Sequence, residues 1–564
     1  MKGLSFSCGL LLLFAAVMSS ADESGIIAGR IDYDGERAGA MTVRCYRLHV
    51  TSAGDVRQLS KREIYGDAEP LMTLTLEGPG RYEFGGLPDG FYSVLAFMDR
   101  DGDGELGFDP PEPFGWFAAE PGGWVDPIEP AGADVENADF SLRTPTPFPR
   151  DEQRCEHGAL RWMRGLPVLQ LRGSAEERGY AHGYLVGRQI IDFFEFYVLE
   201  DSWRSARRYL EEFVPFLDNN FDYPPEYLRE VDAVVEGMRD SGIEMEVEAL
   251  GSDFGRAELL AINSYIERRA AYPSPGASSC TQFAFWGAQT EGSELGGGLI
   301  AGRNMDGEVD ARKVTVSHFL IFAVEPSEPG RRRWVSMMWP GFVGTITGIN
   351  EEGLYCMENA GGTGPGPVVG GLTPMAWVQR YALETAGADA TPGSIAQIMA
   401  QFASEGGGTC GPGSITLWAV PYSGQDAPGF VYEGDRFGGA MRGPTDVRPV
   451  APTNIMASNH HQVYGVDPDR PGYYFGKPAY FSSLWRYEAG MNMIEAWTRA
   501  GRPVGTAEMK QLLQTVGHGT TEYAVIFRAN DMSIDVAVDD LATDMWDAPF
   551  LRWVTFDFEE LHRR

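Results

Sequence analysis

The sequence predicts an α+β chain in three parts: a small all-β sandwich, a helical segment, and a large domain of two antiparallel sheets between helical layers. Three observations carry this. Length is the first: 564 residues exceed what one hydrophobic core serves, because cores rarely grow beyond about 250–300 residues. The second is a change of texture, from short alternating runs, to capped helical periodicity, to mixed strands and helices. The third is Cys280, set between the turn-forming run Pro273-Ser-Pro-Gly-Ala-Ser-Ser279 and the β-like stretch Thr281-Gln-Phe-Ala-Phe-Trp286.

Residues 1–21 read as a secretory signal: Met1-Lys2, an apolar run from Gly9 to Val17, then small residues up to Ala21. The apolar run is far shorter than the roughly 20 residues of a spanning helix, so the expectation is a secreted or periplasmic protein without a stable membrane anchor. Cys8 precedes that run, the wrong side for a lipoprotein attachment cysteine. Residues 22–143 alternate in strand-sized runs such as Gly25–Asp32, Met41–Tyr46 and Phe91–Phe97, separated by Gly, Pro and Asp turns, as in a β-sandwich. Three prolines between Arg143 and Arg150 make 144–157 an extended linker.

Residues 158–279 read as helical. Ser174 can cap a helix, Glu176 and Glu177 suit its first turn, and apolar residues recur through Ile190, Ile191, Phe194 and Val198. Further helices are expected at 203–215, 225–240 and 255–271. From Cys280 to residue 564, strands are expected at 299–301, 313–323, 334–338 and 345–349 and helices at 374–386, 393–404, 480–499 and 506–516. Strands at 523–528, 532–538 and 551–555 close the chain.

A formal charge of −34 argues against nucleic acid or an anionic membrane surface as partner. Beyond the signal, the cysteines are Cys45, Cys155, Cys280, Cys356 and Cys410, an odd set, so at least one thiol stays free or pairs between chains. No CxxC, HExxH or GxSxG occurs, which removes support for zinc chemistry and for a serine α/β-hydrolase. In the first domain Asp99, Asp101 and Asp103 alternate as in a calcium loop with Gly104 at position 6, but Pro110 stands where the bidentate glutamate belongs. A solvated hairpin is the default there, and a weak metal site the alternative.

Cys280 has the setting of a self-cleaving N-terminal nucleophile: a thiol at a strand start, behind a loose segment, with Arg303 and Asp306 three apart on the next strand-like run. In the uncut chain its nitrogen is an amide. Cleavage before it would release an α-amine of reference pKa near 7.7–8.0, able to take the thiol proton.

Six motifs occur in order: Gly173-Ser-Ala-Glu-Glu-Arg-Gly-Tyr-Ala-His-Gly183, Cys280-Thr281, Gly302-Arg-Asn-Met-Asp306, Gly348-Ile-Asn-Glu-Glu-Gly-Leu354 with Asn359, Ser458-Asn-His460 and Ser483-Leu-Trp-Arg-Tyr487. Across residues 158–560 the chain thereby resembles the acyl-coenzyme A:6-aminopenicillanate acyltransferase family, peptidase family C45, among the N-terminal nucleophile hydrolases. Residues 92–116 are similar to a prealbumin-like or carboxypeptidase-regulatory-like sandwich.

The C45 resemblance implies an αββα fold, cleavage between Ser279 and Cys280, processed chains that stay associated, and no cofactor. It implies a small-molecule N-acyl amide substrate whose acyl group passes through a Cys280 thioester to water or an amine. It also implies roles: Arg303 favouring the thiolate, Asp306 orienting the new amine, Asn359 and Asn459 donating to the acyl oxygen, and Arg486 supporting the site electrostatically. The plainer readings are that Arg303 and Asp306 form an ordinary ion pair and that Asn459 holds a turn. His460 and His461 stay outside the catalytic set, Arg178 and His182 fix a helix, and Cys356 and Cys410 are core or disulfide residues. A ceramidase-like or phospholipase B-like lipid hydrolase, and a non-catalytic surface-binding protein, are the competing functions.

Overall fold

Alternation along two neighbouring strands decides how the main domain is layered. On Ser279–Phe285, Cys280 and Ala284 point to one face and Phe283 and Phe285 to the other. On the antiparallel partner Ile300–Asp306, Ala301 and Met305 share the first face and Ile300 the second. The second face packs on helices Phe481–Ala500 and Thr506–Thr515 through Tyr487, Met491, Ile494, Met509 and Leu513. The first face joins a core shared with another sheet, contributed there by Val335, Ile349, Met357, Leu417 and Val431. Both faces of these two strands are buried along their whole length, Arg303 and Asp306 included.

This is a computed structural model, and it describes residues 25–36, 39–130, 134–267, 279–307, 310–409, 413–447, 453–470, 472–542 and 546–564. The signal segment, residues 273–278 and Cys410 lie outside the described residues. The sheet carrying Cys280 has a main path in the order 454–457, 279–285, 300–306, 520–528, 533–538, 553–557. The facing sheet runs 153–155, 158–163, 166–173, 320–326, 334–338, 347–350, 355–361, 413–419, 429–435, 438–442. All its neighbours are antiparallel except 166–173 with 320–326. Helices Ala175–Asp192 and Met375–Thr385 lie on this sheet, and Pro225–Asp240 packs on the first of them. The result is a mixed α and β architecture with two stacked sheets between helices.

The segment before Cys280 is more than the helical piece expected. Its helices 175–192, 225–240 and 256–264 are present, and Ser174 caps the first in a capping box with Glu177. Residues 158–163 and 166–173, however, are strands built into the large sheet. Expected strand 313–323 begins instead as a short helix, Val314–Ser317, because the Asp310 carboxylate accepts the N–H groups of Arg312, Val314 and Thr315. The strand proper is Leu320–Pro326.

Residues 25–141 form the two small sheets of a sandwich, ordered 80–87, 25–32, 140–141 and 72–76, 40–47, 92–99, 114–116. Ile27, Val43, Phe84 and Val94 fill the space between them. The proline-rich stretch that follows is docked rather than a free tether: Phe148 is buried in the main core, and Asp192 accepts the Thr146 N–H at 2.6 Å. Its end, Gln153–Cys155, is a strand.

Gly302 shows how closely the nucleophile's sheet meets its helices. A Cβ there would lie 2.8 Å from Met509 Sδ and 2.9 Å from Met509 Cγ. Gly302→Val is expected to lower stability by about 1–3 kcal/mol through overpacking, checked by denaturant unfolding against wild type.

Candidate active site

Sheet pairing assembles the site. Antiparallel register sets Cys280 opposite Met305 and Ser279 opposite Asp306. The Cys280 thiol is buried, 3.7 Å from Met305 Sδ, with Arg303 Nη2 at 3.2 Å. Arg303 is held by the Ile346 carbonyl at 2.7 Å, Thr347 Oγ1 at 2.6 Å and the Glu358 carbonyl at 2.7 Å, all from the facing sheet or the turn leading into it. Tyr523 hydrogen-bonds Thr347 in turn, at 2.8 Å. The guanidinium is thus fixed before any substrate arrives.

From the opposite side, Arg486 on helix 481–500 donates through Nη1 to the Cys280 carbonyl and to Thr281 Oγ1, each at 2.6 Å. Its Nη2 donates to Asn459 Oδ1 at 2.9 Å. Asn459 Oδ1 also accepts the Cys280 N–H at 2.7 Å. Two donors converging on one atom identify it as the amide oxygen. Asn459 Nδ2 donates to the Ala360 carbonyl, and its backbone N–H to Ser483 Oγ at 2.8 Å.

Asn359 Nδ2 faces three carbonyls, of Ser458 at 3.1 Å, Cys280 at 3.3 Å and Ala457 at 3.4 Å. Gln282 donates to Asn359 Oδ1 at 2.6 Å and accepts from the Leu417 N–H, tying the two sheets together beside the thiol.

All six expected site residues therefore come together, with different first tasks for four. Asn459 grips the nucleophile's own nitrogen instead of facing an acyl oxygen. Asn359 and Arg486 donate to the Cys280 carbonyl, so an acyl oxygen would have to compete for them. Asp306 does not touch the Cys280 nitrogen: Oδ1 accepts from Thr521 Oγ1 at 2.5 Å, and Oδ2 lies 3.2 Å from His518 Nε2. Asp306 is in register with Ser279, so strand alternation puts its side chain on the face opposite the Cys280–Met305 pair.

The electrostatics are unusual. Arg303 and Arg486 are fully buried, and among the described residues neither has a carboxylate within ion-pairing distance; their acceptors are carbonyls, hydroxyls, an amide and sulfur. Burial lowers the pKa of Arg486, against the pull of Asp306 and Cys280. Burial also pushes the Glu358 carboxyl up to about 7, so below that pH it adds little compensating charge. Burial raises the Cys280 thiol as well, outweighing Arg303, and the uncut chain holds it protonated at neutral pH. Against its burial, Cys280 and Tyr523 hold Arg303 charged, so the two buried guanidiniums, neither in contact with a carboxylate, are suited to an anion that forms during reaction.

Burial holds His460 down to about 4, leaving it neutral, and Nδ1 is tied to Ser483 Oγ at 2.8 Å. His182 accepts the Gly341 N–H, and Arg178 pairs with Glu230 and Glu328. Both are framework residues, as read from the sequence. Cys45, Cys155, Cys280 and Cys356 are free thiols. Asp99, Asp101 and Asp103 could each offer a carboxylate oxygen to a hard cation, within 4.8 Å of one another, yet all three already accept backbone N–H groups of their turn.

Thr281, Gln282, Thr347, Ser483 and Tyr523 complete the site but were not assigned from sequence. Thr281 and Ser483 lie inside quoted motifs, which is a usable signal. The others have none.

No family model matches the chain, and no curated protein matches it. Among solved structures it is similar to a Caenorhabditis elegans N-acylethanolamine-hydrolyzing acid amidase ortholog, at 13% identity and TM-score 0.31, over 44% of this chain and 93% of that one. A mutant conjugated bile acid hydrolase from Clostridium perfringens matches at 11% and 0.31, over 50% of this chain and 94% of that one. Penicillin V acylase from Agrobacterium tumefaciens matches at 11% and 0.25, over 46% and 83%. Overlap this loose carries no function, so the residues around Cys280 must carry it.

Proposed function

We propose that the chain is a self-processing cysteine amidohydrolase of the N-terminal nucleophile type, resembling family C45, secreted, and acting on a small-molecule N-acyl amide. What carries the reading is a buried thiol flanked by two buried guanidiniums that have no carboxylate partner among the described residues.

Processing begins with Cys280 Sγ attacking the Ser279 carbonyl. The C–N bond breaks, the nitrogen takes the thiol proton, and Ser279 is left as a thioester. The α-amine is free from that step on; water then cleaves the thioester, regenerating the Cys280 thiol and leaving Ser279 as a C-terminal carboxylate. Asn459 Oδ1, already on that nitrogen at 2.7 Å, becomes the acceptor that orients the amine. The amine serves as base when the thiol attacks a substrate amide, a role typically worth about 10²–10⁴ in rate. Arg303 stabilises the sulfur anion. Arg486 and Asn359 are the donors nearest the reacting groups, and water or an amine accepts the acyl group.

Cleavage does not separate the halves in this reading. Strand 166–173 stays hydrogen-bonded to 320–326, and the buried set Arg178–Glu230–Arg380 links helices on both sides of the cut. Edman sequencing of the purified protein is expected to give two N-termini, one reading Cys-Thr-Gln-Phe. A single intact chain would overturn the proposal, because Cys280 would then lack its base.

A further inference from the structure

A cavity of about 530 Å³ lies apart from Cys280, where four regions of the chain meet. Phe108 of the sandwich domain, Phe148 of the proline-rich stretch, Trp162 of strand 158–163, Phe319, and Val538 and Val554 of the sheet carrying Cys280 line it. The volume is that of a small-molecule site, which typically spans about 300–1,000 Å³. Its wall and the catalytic site are adjacent but separate: Phe319 packs on Tyr523 at 5.1 Å between ring centroids, and Tyr523 bonds the Thr347 that holds Arg303.

The lining is rich in arginine for so acidic a protein. In a chain of net charge −34, the lining includes Arg150, Arg164, Arg312 and Arg552 against Asp109 and Asp539. Arg164 is taken by Glu560 and Arg312 by Glu200. Arg150 and Arg552 have no ion-pair partner among the described residues and are exposed at the rim. Arg150 is held in place, its guanidinium 3.8 Å over the Trp162 ring, while the Trp162 N–H donates to the Pro149 carbonyl.

We propose that this cavity binds an anionic amphiphile, an aliphatic carboxylate whose chain fills the apolar interior and whose head group meets Arg150 and Arg552. An apolar interior excludes a compact polar anion, and two unpaired guanidiniums favour a carboxylate over an ammonium. Since the lining comes from the sandwich, the docked stretch and both sides of Cys280, such a ligand would clamp the parts to one another.

The probe is decanoate below its micellar concentration, titrated calorimetrically into the full-length protein, with decylamine as comparator. Decanoate is expected to bind and decylamine not to. Arg150→Glu combined with Arg552→Glu, both exposed, should weaken decanoate at least about tenfold, the loss expected of a charge-assisted contact. Val538→Trp, which fills the cavity, should abolish binding at an unchanged melting temperature. Alkylating Cys280 with iodoacetamide should leave it intact. No decanoate binding, or binding indifferent to the arginine reversal, overturns the proposal. So does binding lost only on alkylation, which would put the chain in the nucleophile's own pocket. None of these outcomes bears on whether the chain cuts itself.

Discussion

Cys280→Ala is expected to give a single uncut polypeptide on a denaturing gel where the proposed self-processing gives two fragments in wild type, and to lose the proposed amidohydrolase activity by at least about 10⁴-fold. The fold should survive. The thiol's packing neighbours are Met305 Sδ and a guanidinium that keeps three other acceptors, and shortening the side chain by one atom leaves the Asn459 bond to the backbone N–H in place. Stability should therefore change by no more than about 1 kcal/mol. That split between chemistry and fold makes the variant informative. Two fragments from Cys280→Ala would mean that another protease cuts the chain, and that the buried thiol is a core residue after all.

Local periodicity made much of the fold legible. The capping box at Ser174, the alternation of the first domain and the helical spacing of residues 375–385, 481–500 and 506–515 depend on neighbours within one or two turns. The strands at 158–163 and 166–173 were missed because the hairpin they form is built into the large sheet only through 166–173, whose other partner, 320–326, lies far along the chain. Asp310 converting an apolar, β-branched run into a helical turn is a side-chain effect that periodicity does not register.

The site divides the same way. Cys280, Arg303 and Asp306 could be read together because a hairpin joins them, and Asn359, Asn459 and Arg486 came only through the resemblance. Their tasks could not be read. That Asn459 turns its oxygen to the Cys280 nitrogen follows from where Arg486 and Ser483 sit, and that Asp306 meets Thr521 follows from its pairing with strand 520–528, where one extra residue sets Thr521 opposite it.

Arg486→Leu should separate catalysis from stability in opposite directions. Arg486 is buried among neutral acceptors, and burial disfavours its charge. Replacing such a cation with an apolar side chain of similar length is often neutral or stabilising by about 1–4 kcal/mol, provided the groups it held find other partners. Here Asn459 Oδ1 keeps the Cys280 N–H, and the Cys280 carbonyl keeps Asn359. Unfolding in denaturant is thus expected to show a variant at least as stable as wild type.

Activity should fall about 10²–10³-fold, the usual loss when a fixed donor to a developing negative charge is removed. The pH profile should move too. Arg486 and Cys280 interact electrostatically, so the cation favours the thiolate. Without it the thiol pKa rises, and the acid limb of kcat/KM shifts to higher pH. Arg486→Lys keeps the charge and loses the fork, so it should restore the pH limb while recovering only part of the rate. A residue serving only to hold helix 481–500 in place would give the reverse pattern: lower stability, a correspondingly smaller active fraction and an unmoved pH profile.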